Sequence, residues 1–346
     1  MSLAKNSPWE NKFMKQLLKT LTESYGPSGY EDAVRKLILK EVKPLADEVR
    51  VDALGSLIVR KRPAKGAKDP KKIMLAAHMD EIGVIVSHVD KKGFVRFTNI
   101  GTPFGRYTLG ARVHFLNGVT GVVGYDHLEN IDAAVPLNKM YIDVGATSKE
   151  DCPLRVGDVG AFERTYFEMG DRLVSKSMDD RSSVTALIET LRALKSTPND
   201  VYFVFTTQEE VGARGAGPAA YGIDPDIGIA VDVTPTGDTP ASLKMVMELG
   251  KGPCIKFRDV GMIADPRVVD WMIQTAEKAK IPYQREVLLV GSTDAHVIQV
   301  TGRGAIAGAV SIPVRYVHSA SEMIDYNDLK NTVRLLTALL RKSVAF

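Results

Sequence analysis

The chain has 346 residues, 45% of them hydrophobic and 25% charged, with a formal net charge of +3. These are the proportions of an ordinary globular protein, and the length exceeds what one core usually covers, so two domains or one domain with a large insertion are expected. The charge is too small to argue for nucleic acid. Cys152 and Cys254 are too few for a disulfide framework or a cysteine-based zinc site, and no apolar run reaches the length of a membrane span.

In chain order, Trp9–Glu23 places Phe13, Met14, Leu17, Leu18 and Leu21 at helical spacing. Lys5, Glu10, Lys12, Lys15 and Lys19 leave no apolar block for a signal peptide, so a cytoplasmic setting is expected. Gly26-Pro27-Ser28-Gly29 breaks the helix. Ser28 and Glu31 have the spacing of a capping box, opening a second helix through Val34, Leu37, Ile38 and Val42. Val49–Val51 and Leu57–Val59 read as strands. The basic run Lys61, Arg62, Lys65, Lys68, Lys71 and Lys72 has no interleaved aromatics and reads as a solvated loop.

From about Gly83 to Gly170 the texture changes. Val84–Val89, Phe94–Phe97, Val113–Phe115, Val119–Val123, Met140–Val144 and Val159–Phe162 alternate with glycines, which predicts a small all-β, barrel-like unit. His88, His114 and His127 lack an acidic partner at ligand spacing and read as surface or packing residues. From Asp171 an α/β pattern resumes. It predicts a helix over Arg181–Leu194, a strand over 201–207, a loop rich in Gly and Ala, and a strand over Ile227–Val231. Further on it predicts a helix after Pro266 over Val268–Ala279, strands over Val287–Val290 and Gly304–Ile312, and a last helix over Asn327–Lys342. The fold class is therefore α/β with a mostly parallel sheet. Residues 1–82 and 171–346 form one discontinuous domain, and 83–170 an inserted β-rich domain.

Several predicted strands end in the same kind of residue. Ile73–Ala77 runs into His78-Met79-Asp80-Glu81, strand 201–207 into Gln208-Glu209-Glu210, Ile227–Val231 into Asp232, and Gly304–Ile312 leads to His318. In open α/β sheets the ligand crevice lies outside the carboxyl ends of the strands. Two His, a Glu and an Asp delivered there predict a metal site. Met178-Asp179-Asp180-Arg181, just before a helix, adds a carboxylate able to bridge two divalent ions about 3.5–4 Å apart. Asp80 lies two residues past His78, placed to hold the second imidazole nitrogen. Glu209 and Glu210 are expected to divide two roles, metal ligand and base, without sequence order saying which is which. A mixed His and carboxylate set admits zinc, cobalt or manganese.

These motifs, with Asp232-Val233-Thr234-Pro235 and Tyr316-Val317-His318-Ser319, resemble in order those of the cytosolic glutamyl/deblocking aminopeptidases. That family comprises di-metal enzymes of the zinc-exopeptidase clan, often assembled as tetrahedral dodecamers. Gly26–Glu31 and Gly291–Ala295 also look like family features. The resemblance implies an α/β/α catalytic domain and an inserted dimerisation domain. It implies two divalent ions, zinc or cobalt first and manganese also compatible. His78 would bind one ion, Glu210 would be a ligand on one and Asp232 on the other, His318 would complete the second, and Asp179 would bridge them across a cis Asp179–Asp180 peptide. Glu209 would be the general base acting on water held by the metals, and Asp80 would orient His78. Asp294 matches the rim of the substrate pocket. Substrates would be peptides with a free amino terminus, with no nucleic-acid or membrane partner. The departures are Ser182-Ser183 after Arg181, and loose matches at Gly101–Arg106 and around His127. A metal-dependent amidase or deacylase would use the same centre. An endoglucanase would need two facing carboxylates and no metal. A non-catalytic metal-binding protein would not need Glu209. Lys256, Arg258 and Arg285 are available for a pocket that prefers acidic residues.

Overall fold

The computed structural model describes residues 8–103, 105–130, 134–344 and 346; Lys5, and Phe104 within the Gly101–Arg106 stretch, lie outside them. Strands Asp200–Thr206, Lys72–His78, Ile227–Pro235 and Ile306–Arg315 lie side by side and parallel at the centre of an 11-stranded sheet. Their near-continuous apolar runs suit strands covered on both faces. Alternation then divides the core. Ile73, Leu75 and Ala77 pack with Leu187, Ile188, Leu336 and Leu339 on one face. Met74 and Ala76 pack with Ala216, Ala219, Ala220 and Ile223 on the other. The result is an α/β/α sandwich, as the resemblance implies.

Antiparallel strands extend both sides, Leu57–Lys61 and Glu48–Val51 on one, Glu322–Asp325, Arg172–Ser175 and Phe167–Met169 on the other. Between the ends of Lys72–His78 and Arg172–Ser175 the chain forms a closed antiparallel barrel. Its strands, in order around the barrel, are Gly83–Val89, Val95–Ile100, Met140–Asp143, Thr120–Tyr125, Arg112–Phe115 and Val159–Phe162. Its own core includes Val84, Val86, Val95, Phe97, Val113, Phe115 and Ile142. No helix among the described residues is long and apolar enough to cross a membrane.

Three local expectations change. The Gly/Ala-rich loop contains the helix Ala216–Ile223. Gly217, Pro218 and Gly222 hide it from periodicity, but Pro218 falls in the first turn, where no intrahelical N–H is needed. The strand expected over Val287–Val290 instead runs Gln284–Val287 beside an unforeseen strand Cys254–Arg258, and Leu289 and Val290 are exposed. The last parallel strand continues through Pro313 to Arg315. Pro313 is in register with Thr234 on one side, and on the other falls between the end of pairing to Cys254–Arg258 at Ser311 and the start of pairing to Glu322–Asp325 at Val314, a side where no ladder N–H is needed.

Candidate metal centre

Register brings the strand ends together. Thr206 pairs with His78, so Gln208-Glu209-Glu210 emerges beside the His78 loop. Asp232 lies in the next parallel strand, paired with Ser311. Helix Met178–Ala193 begins irregularly, with Asp179 and Asp180 outside helical geometry and a cis peptide between them.

Two groups of donors face each other across Asp179. His78 Nε2 lies 3.0 Å from Asp179 Oδ1, 3.9 Å from Asp232 Oδ1 and 4.0 Å from Glu209 Oε2. His318 Nε2 lies 3.5 Å from Asp179 Oδ2 and 3.4 Å from Glu210 Oε2. The second nitrogen of each ring faces a backbone carbonyl. His78 Nδ1 is 3.2 Å from Asp80 O and 3.4 Å from Asp80 Oδ1, and His318 Nδ1 is 3.0 Å from Thr102 O. A carbonyl only accepts, so each ring places an N–H on Nδ1 and turns Nε2 toward carboxylate oxygens. Nε2 and those oxygens at such distances need a proton or a cation between them. His78, Asp179 and Glu210 offer ligand atoms within 4.8 Å of one another, and so do His78, Asp180 and Asp232.

The electrostatics point the same way. Burial, and then the charge of Asp179, push Glu210 up to about 8 and Asp232 up to about 7. Burial raises Glu209 well above the usual carboxylate range, and burial with Asp232 does the same to Asp180. Burial opposes charge on His318, yet Glu210 and Asp179 lift it to about 10; Asp179 and Asp80 likewise outweigh burial at His78. Every one of these shifts favours uptake of positive charge. Glu210 Oε1 and Asp180 Oδ1 are buried without a hydrogen-bond partner. This donor set fits divalent cations.

An outer layer that the sequence did not disclose holds the backbone of these residues. The N–H groups of Glu209 and Glu210 donate to Asp80 Oδ1 and Oδ2 at 3.0 and 3.1 Å, and Ser28 Oγ donates to the same carboxylate at 2.6 Å. The N–H groups of Gln208 and Gly29 donate to Glu31 Oε1 at 3.1 and 2.8 Å. Those of Asp179 and His318 donate to Glu322 Oε2 and Oε1 at 2.9 and 2.8 Å. That of His78 donates to Asp180 Oδ2 at 3.2 Å. Gln208 and His318 adopt positive φ, 57° and 58°, a conformation costly for residues with a Cβ and sustained by surrounding contacts.

The capping box is thus overturned. The helix runs Asp32–Val42 without a side-chain cap, because Ser28 and Glu31 spend their oxygens on Asp80 and on backbone amides near the centre. Lys256 is not a pocket residue: it is fully buried 2.9 Å from Glu286 Oε1, and Thr234 donates to the same oxygen. Asp294 is buried and accepts from Thr206 Oγ1 at 2.5 Å, so it does not form an open rim. Of the three barrel histidines, His114 stacks on Tyr25, a packing role. Glu31, Asp180 and Glu322 went unread as functional. The usable signals were Glu322 four residues past His318 and the conspicuous Asp179-Asp180 pair.

Residues 55–335 match the model of the M42 glutamyl aminopeptidase family. A putative aminopeptidase of Acetivibrio thermocellus is 46% identical over 329 residues, covering 94% of this chain and 98% of the relative. The solved structure of an aminopeptidase from the archaeon Desulfurococcus kamchatkensis superposes with a TM-score of 0.92 at 39% identity, covering 97% of this chain and 96% of that one. The TET1 peptidase of Pyrococcus horikoshii, which can assemble into a tetrahedron or a large octahedral shell, superposes at 0.85 with 33% identity, covering 95% and 100%. The chain belongs to the M42 glutamyl aminopeptidase family.

Proposed function

We propose that this protein removes residues from the free amino termini of peptides, with two divalent cations held by His78, Asp179, Glu210, Asp232 and His318. The observation that carries the reading is the pair of imidazole Nε2 atoms facing opposite oxygens of Asp179 at 3.0 and 3.5 Å. Bound there, divalent cations supply Lewis-acid polarisation of a carbonyl and increase the acidity of water.

Glu209 is the general base. Its neighbour Glu210 belongs with His78 and Asp179 to a group of possible ligand atoms within 4.8 Å of one another, while Glu209 belongs to neither such group among the described residues. Its carboxylate takes a proton from water as the oxygen adds to the scissile carbonyl carbon. It returns that proton to the departing nitrogen as the C–N bond breaks. Burial raises its proton affinity, the direction this exchange needs. Asp80 fixes the His78 ring and the amides of Glu209 and Glu210, so it acts by holding the base and the ligands in place.

Zinc or cobalt suits this nitrogen and oxygen set first, with manganese also compatible. Residues 1–82 and 171–346 serve as the catalytic domain and 83–170 as a dimerisation domain. Similarity to the TET1 peptidase supports a homo-oligomer, a dimer or a dodecamer built from dimers. Two free cysteines suit a cytoplasmic setting. Arg258 and Arg285 remain available to an acidic side chain; Arg285 lies over the Phe257 ring at 4.2 Å. The interleaving of imidazoles with the carboxylates disfavours an endoglucanase, which has no use for them.

A panel of aminoacyl-anilides, with N-acylated amides and a cellulose analogue beside it, tests the reading. It is assayed with and without chelator and with zinc, cobalt or manganese restored. Chelator-sensitive release from free amino termini is expected. Release from the acylated amides alone would move the protein to the amidases, and chelator-insensitive release of sugar would remove the peptidase reading.

A further inference from the structure

The two halves of the centre are braced by different parts of the molecule. Around His78, the carbonyl of Asp80 and the carboxylate of Asp180 come from the α/β unit itself. Around Glu210 and His318, part of the bracing comes from the barrel. Gly101 follows the barrel strand Val95–Ile100 with φ +71°, and a Cβ on it would stand 3.0 Å from Glu210 Oε2, 3.2 Å from Glu210 Cβ and 2.9 Å from Ile82 Cγ2. The next residue, Thr102, offers the carbonyl that receives the His318 Nδ1 proton at 3.0 Å. Adjacent barrel residues therefore set the place of one carboxylate and the tautomer of one imidazole, both in the same half.

We propose that the Gly101–Thr102 segment of the barrel is a positioning element for the Glu210–His318 half of the metal centre. Cation affinity there depends on this segment, while the His78–Asp232 half does not. The inference rests on the two-cation reading above. Glycine is required at position 101 for two reasons at once: the left-handed backbone and the carboxylate where a side chain would stand.

The test compares Gly101→Ala with Gly110→Ala. Gly110 lies in the same barrel unit at the same φ of +71°, but nothing lies within 4 Å of its Cβ position, so alanine there reports backbone strain alone. Metal-stripped protein is titrated with zinc and with cobalt by calorimetry, and bound metal is counted by elemental analysis. Wild type and Gly110→Ala are expected to bind two ions per subunit. Gly101→Ala should keep one and hold the second about 10–100-fold more weakly, as loss of an outer support does. Wild-type affinity for both ions in Gly101→Ala, or equal loss in both variants, overturns the proposal. Wild type binding fewer than two ions removes the reading beneath it, a distinguishable failure. If Gly101→Ala fails to fold, ¹⁵N NMR of the wild-type imidazoles still decides, with His318 identified by its loss in His318→Gln. In the metal-loaded protein a proton on Nδ1 is expected, and a proton on Nε2 overturns the assignment.

Discussion

The two halves of the centre use the same chemistry on different foundations. His78 and Asp232 end or lie within central parallel strands, with side chains 2% and 9% exposed. Glu210 and His318 sit on loops, and the His318 side chain is 24% exposed. Strand backbones are fixed by their ladders, so the first half needs little beyond the sheet. Loop backbones have no ladder, so Asp80 and Glu322 hold the amides of Glu210 and His318, and the barrel's Thr102 holds the His318 ring. Equivalent donors thus differ in how many separate parts of the fold must be in place before they converge.

Breaking the element common to both halves has the largest effect. Asp179→Asn is expected to lose both cations and all measurable turnover; elemental analysis showing two ions retained would refute the bridging role. Glu209→Gln touches neither half. It should keep both ions and lower kcat by about 10²–10⁴-fold, the usual worth of a general base, and near-normal turnover would take Glu209 out of its role. Smaller still is Glu322→Gln. Both Glu322 oxygens accept N–H bonds, so an amide must turn its NH₂ toward one of those donors. Affinity for the second cation should fall by about 10–100-fold, read by calorimetry, and the His78 ion should weaken less, because Glu322 also holds the N–H of the shared Asp179. Progressive chelation sharpens the same contrast. One ion should leave first, and the loss of ligand stabilisation should lower Tm in two steps. A single step releasing both ions together would make the halves equivalent.

Much of this centre was legible because ligands are chemically distinctive and strand ends are conspicuous. His78, Glu210, Asp232 and His318 each follow or close an apolar run, and the parallel register then carries them to one edge. The barrel was legible from short β-rich runs punctuated by glycine. What escaped was support. Glu322 and Asp180 act through their hold on backbone amides far away in sequence, and a carboxylate accepting an amide proton leaves no periodicity. Helix Ala216–Ile223 escaped because its Gly and Pro mimic a loop, and the ion pair of Lys256 escaped because a buried pair looks in sequence like a surface charge.

Glu31 marks the boundary between what local pattern shows and what tertiary contact decides. Its spacing from Ser28 satisfies a capping box, yet its Oε1 receives the Gln208 N–H, tying the amino-terminal segment to the residue before the proposed base, Glu209. Gln208 stands at φ 57°, so that amide is held where the backbone would otherwise relax. One oxygen receives both the Gln208 and the Gly29 protons, and a glutamine keeps such an oxygen. Glu31→Gln is therefore expected to retain near wild-type kcat. Glu31→Ala leaves amides in a buried site without a partner, at a cost of about 1–3 kcal/mol. It should lower both Tm and kcat while leaving KM close to wild type, because the base shifts and the cations remain. A helix cap would behave differently: loss of the cap would lower Tm and leave kcat alone, so kcat separates the two roles of one glutamate.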